Sequence, residues 1–227
     1  MPTFYLVELF SGSGSFARGA RSVLPAGWSM QTHSLDIHPK YNPTTTTDIL
    51  QWDYRTAMDD FLAKRRASDM VWFHASPPCT AYSFARTTAP RDYGLADAIV
   101  KRTLRVLRYV RPDAFTIENP VGHLMQRPFM RKLNDRYLNM TSYCKFGLDY
   151  RKNTCIWCDF DTDLPKCEKG SYCATRNKLG KHLQSAQAGP TTGGTPGSGS
   201  GENVYPLPRK LVRLLVRDGL KAHRGTA

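Results

Sequence analysis

The chain has 227 residues, enough for one well-packed core and a small appendage. Its composition, 41% hydrophobic and 22% charged, excludes an intrinsically disordered chain. No apolar run approaches the ~20 residues of a membrane-spanning helix, so no membrane association is expected. The N-terminal stretch MPTFYLVELF has neither the basic start nor the cleavage site of a secretory signal, which favours an intracellular protein.

The formal net charge of +13 indicates the kind of partner. The chain carries 32 lysines and arginines against 19 acidic residues. A surface of this sign raises the encounter rate and the affinity for a polyanion, and nucleic acid is the commonest polyanion. A generic basic surface that serves solubility is the alternative.

Strands and helices are predicted to alternate along the first 120 residues. An apolar run at 3–10 is broken by SGSGS, and helical spacing follows it. Further strands are predicted at 28–35, 70–76 and 114–120, and a helix at 95–110 that stops before Pro112. This alternation predicts an α/β fold with a mostly parallel sheet.

Four chemically distinctive features follow predicted strands, where ligands of parallel α/β sheets gather. These features are the glycine turn, Asp36, Cys79 and Glu118. We therefore expect them at one edge of the sheet.

The glycine turn indicates an adenosine-bearing cofactor. Gly12, Gly14 and Ala17 fit the pattern G-x-G-x-x-G/A, and Asp36 closes the next strand, where a carboxylate holds ribose hydroxyls. The pattern does not distinguish NAD from S-adenosylmethionine. A structural turn without a ligand is the other interpretation.

Cys79 and Glu118 are the candidate reactive groups. Cys79 follows two prolines and precedes a helix-like stretch, a position that lowers a thiol pKa and favours a nucleophile. Glu118 closes an apolar strand and needs a partner or a raised pKa, which a proton donor to a ring nitrogen requires. An inert buried cysteine and a carboxylate satisfied by loop amides are the alternatives.

The other cysteines predict a metal site. Disulfides are not expected in an intracellular protein, and three thiolates with one imidazole suit tetrahedral zinc. A region too small for its own core is also stabilised by a metal. We predict one Zn²⁺ bound by Cys158, Cys167, Cys173 and His182, with unliganded loop cysteines as the alternative.

The C-terminal part is predicted to contain a linker and a helix. Residues 189–201, rich in Gly, Ser, Thr and Pro, are typical of a flexible linker. The helix that follows places Leu211, Leu214 and Leu215 on one side and is expected to pack back onto the sheet.

In order and spacing, these motifs resemble those of the DNA (cytosine-5) methyltransferase family. The matching stretches are VELFSGSGSFARGA, the acid in SLDIHP, TTDI, ASPPCTAYS, FTIENP, YRKNTCIW and, near the end, NVYPLPRKLVRLL. The resemblance implies a Rossmann-like S-adenosylmethionine-dependent methyltransferase fold with a small cysteine-containing insertion. The domains would be a catalytic and cofactor-binding core at 1–157, a target-recognition insertion with a flexible linker at 158–202, and a C-terminal helix at 203–227.

The resemblance also implies a mechanism on DNA, with a cytosine flipped out of the stack. Cys79 would add to carbon 6, and Glu118 would hydrogen-bond or protonate N3. Carbon 5 would then take the methyl group, and loss of its proton would expel Cys79. Arg151 matches the family arginine that helps to hold the cytosine.

In the same alignment, S-adenosylmethionine is the methyl donor. Asp36 would hold its ribose, Asp48 and Ile49 would border the adenine, and Phe10 would lie against the cofactor. The implied binding residues are Phe10, Gly12, Gly14, Asp36, Ile37, Asp48 and Ile49.

The chain departs from the family pattern in three places. Glu8 stands where Asp is usual, Pro120 follows the Glu-Asn pair, and the Gln-x-Arg-x-Arg motif is reduced to residues 150–152. The short insertion resembles phage or viral members and predicts a short recognition site or a non-duplex substrate. Such a protein is expected to be a monomer, cytoplasmic in a bacterial or phage context and nuclear if it comes from a eukaryotic virus or cell.

Four other functions stay open. One is a transferase with a different alkyl donor or group, because the sequence does not report the pocket around the transferred carbon. A cytosine-5 methyltransferase acting on RNA, such as tRNA, would share these motifs. An inactive nucleic-acid-binding relative would be expected to lose Cys79 or Glu118, and both are present. An NAD-dependent oxidoreductase would leave the Pro-Pro-Cys and Glu-Asn stretches unexplained.

Overall fold

A mostly parallel sheet of seven strands carries helices on both faces. The computed structural model describes residues 1–84, 90–185, 189–190 and 206–225. Its main strands are β1 (Thr3–Leu9), β2 (Ser29–Asp36), β3 (Thr45–Thr46), β4 (Met70–Ala75), β5 (Ala114–Pro120), β6 (Leu138–Ser142) and β7 (Asn153–Cys158). Its α-helices are α1 (Ser15–Arg21), α2 (Tyr54–Leu62), α3 (Tyr93–Val110), α4 (Arg131–Tyr137) and α5 (Arg209–Gly225).

The strand order is β3-β2-β1-β4-β5-β7-β6. The first five strands in this order pair in parallel, whereas β7 runs antiparallel to both β5 and β6. The predicted α/β class with a mostly parallel sheet is thereby confirmed. Each predicted strand falls within two residues of an observed one, and the predicted helix at 95–110 is most of α3.

The ends of α3 follow from local chemistry. The Asp92 carboxylate accepts a hydrogen bond from the Leu95 backbone amide at 3.0 Å, which caps the first turn. At the other end, Arg111 adopts a left-handed conformation with φ 46° directly before Pro112. The left-handed conformation of Arg111 and the proline that follows it both end the helix where the chain returns to the sheet.

Side chains of β1 alternate between two buried layers, so every residue of this strand is buried. Tyr5, Val7 and Leu9 pack in the layer that includes α2 and α3, while Phe4 and Leu6 pack in the layer that includes α1 and α5. Burial on both faces is characteristic of a central parallel strand and explains the continuous apolar run in the sequence.

Helix α5 returns to the sheet and packs against α1. Leu211 and Leu215 are fully buried beside Phe16. Directly before the helix, the Leu207 backbone amide donates to Ser15 Oγ at 3.1 Å. The segment before α5 therefore contacts the start of α1, directly after the glycine turn.

The small second sheet consists of β8 (Gln184–Ser185) and β9 (Gly189–Pro190), which pair antiparallel. The predicted linker, 189–201, lies outside the described residues except for the two residues of β9. Within the described ranges, no helix combines the length and the apolarity needed to cross a bilayer. All six cysteines are free thiols.

A side chain at Gly219 in α5 is expected to clash with the core, at a cost larger than the gain in helix propensity. A Cβ at this position would lie 2.5 Å from Trp72 Cη2. Although alanine favours a helix over glycine by about 1 kcal/mol, overpacking costs ~1–3 kcal/mol. Gly219→Ala is therefore expected to lower the free energy of unfolding, measured by urea titration. Arg217→Ala, on the exposed face of the same helix, is the control and should change it by less than about 0.5 kcal/mol; an equal or higher stability of Gly219→Ala would contradict the packing.

Candidate active site

A cavity of about 670 Å³ opens at the carboxyl edge of the sheet, beyond the ends of β1, β4 and β5. Its walls include the glycine turn at 10–13, the loop at 76–80, Glu118 and Lys152. Pockets of ~300–1,000 Å³ are the usual size for small-molecule and cofactor sites. The expected convergence of the glycine turn, Cys79 and Glu118 is thus observed.

The glycine turn is a tight bend of left-handed residues. Phe10, Gly12 and Gly14 have φ values of 59°, 47° and 68°. Glycine adopts this conformation freely, but for Phe10 it is uncommon and strained, as at many ligand sites. A Cβ on Gly12 would meet no atom within 4 Å, so this residue borders open space.

Asp36 holds the glycine turn in place. Its two carboxylate oxygens accept hydrogen bonds from the Gly12 amide at 2.8 Å and the His38 amide at 2.9 Å. Beside it, the apolar side chain of Ile37 is 57% exposed. A carboxylate and an exposed apolar side chain are thus adjacent at the end of β2.

Asp48 and Ile49 lie away from the cavity lining. Asp48 accepts a hydrogen bond from the Leu50 amide at 2.9 Å. Ile49 is buried in the core layer that includes α2 and α3, and its carbonyl accepts from Arg102 Nε at 3.2 Å. In this structure both residues shape the loop between β3 and α2.

Glu8, the residue that stands where aspartate is usual, is a buried acid in β1 that lines the cavity. Burial raises the pKa of Glu8 to about 7, although the nearby backbone amides of Ala17 and Phe16 and the charge of Arg18 act in the opposite direction.

The loop of Cys79 is tied to the strand end that carries Glu118. Asn119 Nδ2 donates to the Pro77 carbonyl at 2.8 Å. The Cys79 carbonyl accepts from the amides of Tyr82 at 2.9 Å and Ser83 at 2.8 Å. The Glu-Asn pair and the Pro-Pro-Cys stretch are therefore held in a fixed relative position by this hydrogen bond.

The expectation of a lowered thiol pKa is wrong. Burial raises the pKa of the Cys79 thiol, and the negative charge of Glu118 raises it further, although the Lys152 ammonium acts in the opposite direction. Desolvation of a thiolate outweighs the benefit of the short turn that follows the cysteine. Cys79 is consequently a neutral thiol at rest.

Glu118 has two partners. Tyr143 Oη donates to Glu118 Oε1 at 2.9 Å, and Lys152 Nζ lies 3.5 Å from the same oxygen. Burial raises the pKa of Tyr143 well above its ordinary value, so it remains a donor. The requirement that this buried acid have a partner is met by one phenol and one ammonium.

Arg151 does not line the cavity. Its side chain is exposed, whereas the next residue, Lys152, contributes to the cavity wall and pairs with Glu118. The doublet lies directly before β7, and adjacent residues there point to opposite sides. The structure therefore places Lys152, rather than Arg151, at the cavity wall beside Glu118.

Sequence reasoning missed Lys152, Tyr143 and His74. His74, in β4, lines the cavity, and its ring nitrogens lie 2.9 Å from Thr116 Oγ1 and 3.1 Å from Ser76 Oγ. Burial lowers the pKa of His74 to about 3, so the ring is neutral. Of these three residues, only Lys152 could have been found from the sequence, because it is next to Arg151 in the matching motif. Tyr143 and His74 are recognised only through contacts with residues distant in the sequence.

The predicted zinc ligands are only partly brought together. Cys167, Cys173 and His182 form one group, whose fourth member is Cys144. Cys158 lies in β7, where its thiol donates to the Phe160 carbonyl and accepts from Asn139. The inclusion of Cys158 is wrong because the strand directs its side chain into the main core.

Comparison with known proteins shows the fold. No protein-family model matches the sequence, and no curated protein does. The structure is similar to the methyltransferase EhMeth of Entamoeba histolytica, with 14% identity and a TM-score of 0.52 over 75% of this chain and 58% of that chain. This likeness confirms the predicted Rossmann-like methyltransferase fold.

Two further structures share part of this similarity. One is a putative DNA modification methyltransferase encoded within a prophage of E. coli (14% identity, TM-score 0.49, 73% of this chain and 52% of that chain). The other is a mutant of Spodoptera frugiperda DNMT2 (15%, 0.44, 73% and 54%). The chain spans little more than half the length of the three structures.

The raised pKa of Cys79 predicts a distinctive pH dependence of its alkylation. Because only the thiolate reacts, iodoacetamide should label Cys79 about tenfold faster per pH unit between about pH 7 and pH 9, without levelling off. Lys152→Gln removes the charge that opposes the shift and should slow labelling further. Peptide mass spectrometry gives the rate at Cys79 itself.

Lys64→Gln is the matched control for this experiment. Lys64 is exposed beyond the end of α2 and does not contribute to the cavity wall, so its substitution should leave the labelling rate unchanged. Labelling that levels off below about pH 8 would mean a stabilised thiolate and would contradict the geometry.

Proposed function

We propose that this protein is an S-adenosylmethionine-dependent DNA cytosine-5 methyltransferase that acts through Cys79. One observation carries the proposal: the glycine turn, Cys79 and Glu118 line the same cavity. A methyl donor held at the turn would thus meet a base held between a nucleophile and an acid. The methyltransferase fold supports this assignment.

The residues at the cavity and at the adjacent end of β2 fit S-adenosylmethionine. Gly12 borders open space, and Asp36 holds Gly12 in position while keeping lone pairs for ribose hydroxyls. The exposed Ile37 provides an apolar surface that an adenine ring would cover, and Phe10 provides another against the cofactor. When bound, the cofactor supplies the electrophilic methyl group.

The base side of the cavity supplies the nucleophile. Cys79 Sγ, after loss of its proton, forms a bond to carbon 6 of the cytosine, and the electrons of the 5,6 double bond move to carbon 5. Carbon 5 would then bond to the methyl group while the bond between that methyl group and the sulfonium sulfur breaks, which would leave S-adenosylhomocysteine. Loss of the carbon 5 proton to solvent restores the double bond and releases the Cys79 thiolate, which regains the proton that it lost at the start. The net products are 5-methylcytosine, S-adenosylhomocysteine and one proton.

Glu118 and Lys152 control charge during this sequence. Glu118, after it has taken up a proton, hydrogen-bonds or protonates N3, which prevents negative charge from accumulating on the ring. Lys152, 3.5 Å from Glu118, balances the carboxylate and favours the Cys79 thiolate. We assign to Lys152 the place that the family resemblance would give to Arg151.

The nucleic-acid substrate is inferred from charge and from the extrusion that the chemistry needs. The excess of 32 basic over 19 acidic residues favours a polyanion. A half-buried nucleophile in a cavity wall requires that the cytosine leave the stack. A DNA substrate follows from the motif resemblance, and RNA is the other outcome of the test.

The decisive experiment is covalent trapping. The protein is incubated with S-adenosylmethionine and DNA that contains 5-fluorocytosine, and its intact mass is measured. Fluorine does not leave as a cation, so the Cys79 adduct should accumulate and carry the transferred methyl group. Cys79→Ser should form no adduct while binding DNA within a few-fold, and Glu118→Gln should slow adduct formation by about 10²–10⁴.

Cys158→Ala is the matched control, because this cysteine is buried outside the cavity; it should form the adduct normally. An adduct with RNA alone would move the substrate assignment to RNA. No adduct with either polymer would overturn the proposed activity.

Asp36 tests the cofactor assignment independently of the nucleic acid. Asp36→Ala removes the ribose hydrogen bonds and releases the Gly12 amide, for an expected loss of ~1.5–3 kcal/mol, or about 10- to 150-fold in Kd for S-adenosylmethionine. Calorimetric titration measures the affinity, and Asp60→Ala, exposed on α2, serves as the control. Unchanged affinity in Asp36→Ala would reject this role.

A further inference from the structure

We propose that Cys144, Cys167, Cys173 and His182 bind one structural zinc ion that fastens the cysteine-containing insertion to the catalytic core. Their ligand atoms lie within 4.8 Å of one another. Cys167 Sγ and Cys173 Sγ lie 3.5 Å and 3.6 Å from His182 Nε2. Tetrahedral zinc, with bonds of ~2.3 Å to sulfur and ~2.0–2.1 Å to nitrogen, separates such atoms by about 3.6 Å.

The donor set selects zinc. Three thiols and one imidazole form a Cys₃His set, which is common in closed, four-coordinate structural zinc sites. The three cysteines are at most 7% exposed and form their own buried cluster. A disulfide would use two of the thiols and leave the third without a function, whereas one zinc ion uses all three.

The surroundings compensate the charge of such a centre. Three thiolates and Zn²⁺ carry a net charge of −1. Arg176 Nη2 donates to Cys167 Sγ at 3.4 Å and to the Glu168 carbonyl at 3.0 Å, which places a cation against a ligand sulfur. Groups of this kind orient metal ligands and tune their basicity.

The insertion needs a stabilising centre of its own. Tyr172 and Leu179 are 84% and 67% exposed, so its large apolar side chains do not all form a core. Its links to the rest of the protein include the Cys167 amide to Ser142 Oγ at 3.1 Å and Lys145 Nζ to the Tyr172 carbonyl at 2.8 Å. A metal that joins both segments would supply the missing stability.

The position of Cys144 gives the zinc ion a second consequence. Cys144 belongs to the short 3₁₀ turn Tyr143–Phe146 of the core, whereas the other three ligands come from the insertion. The preceding residue, Tyr143, donates to Glu118. The ion would therefore hold the insertion against the same turn that holds Glu118.

Elemental analysis of the protein purified without added metal tests this proposal. We expect about one equivalent of zinc per chain, and less than about a tenth in Cys144→Ser and in Cys173→Ser. Cys158→Ala, the matched control, should retain the full equivalent, because this cysteine is outside the group. Replacement of zinc by Co²⁺ should give the absorption of a tetrahedral thiolate centre in the full-length protein and in Cys158→Ala.

The outcomes separate the possible sites. Zinc below about a tenth of an equivalent in the unaltered protein, with no Co²⁺ spectrum on addition of the metal, would overturn the proposal. Loss of zinc in Cys158→Ala with retention in Cys144→Ser would place the site elsewhere. The readouts concern the metal alone, so they are independent of the proposed methyl transfer.

Discussion

The parallel register of β1, β4 and β5 is the constraint on which the rest of the structure depends. Leu9 lies opposite Ala75, and Ala75 lies opposite Ile117. The residue after Leu9 begins the glycine turn, and the residue after Ala75 begins the Pro-Pro-Cys loop. The residue after Ile117 is Glu118. A slip by one residue would turn every side chain of a strand to the opposite face. Burial of β1 on both faces resists such a slip, and so the reactive groups meet at one edge.

The part of the site around Cys79 combines two acidic groups, the Cys79 thiol and Glu118, with the cation of Lys152. Cys79 must lose a proton beside Glu118, and each negative charge disfavours the other. Lys152 reduces this conflict, and Tyr143 supplies a neutral donor to the carboxylate. The resting thiol is thus kept neutral, which also protects it from oxidation, because the thiolate is the oxidisable form.

The loop that carries Cys79 is supported from behind. Tyr82 Oη donates to Asp97 Oδ1 at 2.8 Å, and Arg127 pairs with the same carboxylate at 2.5 Å. Together with the Asn119 bond to the Pro77 carbonyl, this network fixes the loop from α3 on one side and β5 on the other. Such support limits the ordering that a reaction at Cys79 would require.

The sequence by itself determined the sheet and the glycine turn, and it singled out Cys79 and Glu118, which the structure brings to one cavity. These features are encoded by local patterns, which can be read without knowledge of the fold. The patterns are the apolar runs of strand length, the Gly12–Gly14 spacing and the Pro-Pro-Cys and Glu-Asn stretches.

The tertiary structure decided what depends on contacts between distant segments. It placed Lys152 rather than Arg151 beside Glu118. The path of the loop before β7 determines which of these two neighbouring side chains faces the cavity, and that path depends on the packing of the whole sheet. It grouped Cys144, rather than Cys158, with Cys167, Cys173 and His182. The reason is that β7 buries Cys158 in the main core, while a turn between β6 and β7 brings Cys144 to the segment that carries the other three residues. It raised the pKa of Cys79 where its local position favoured the opposite, because desolvation and the charge of Glu118 arise only when the strands assemble.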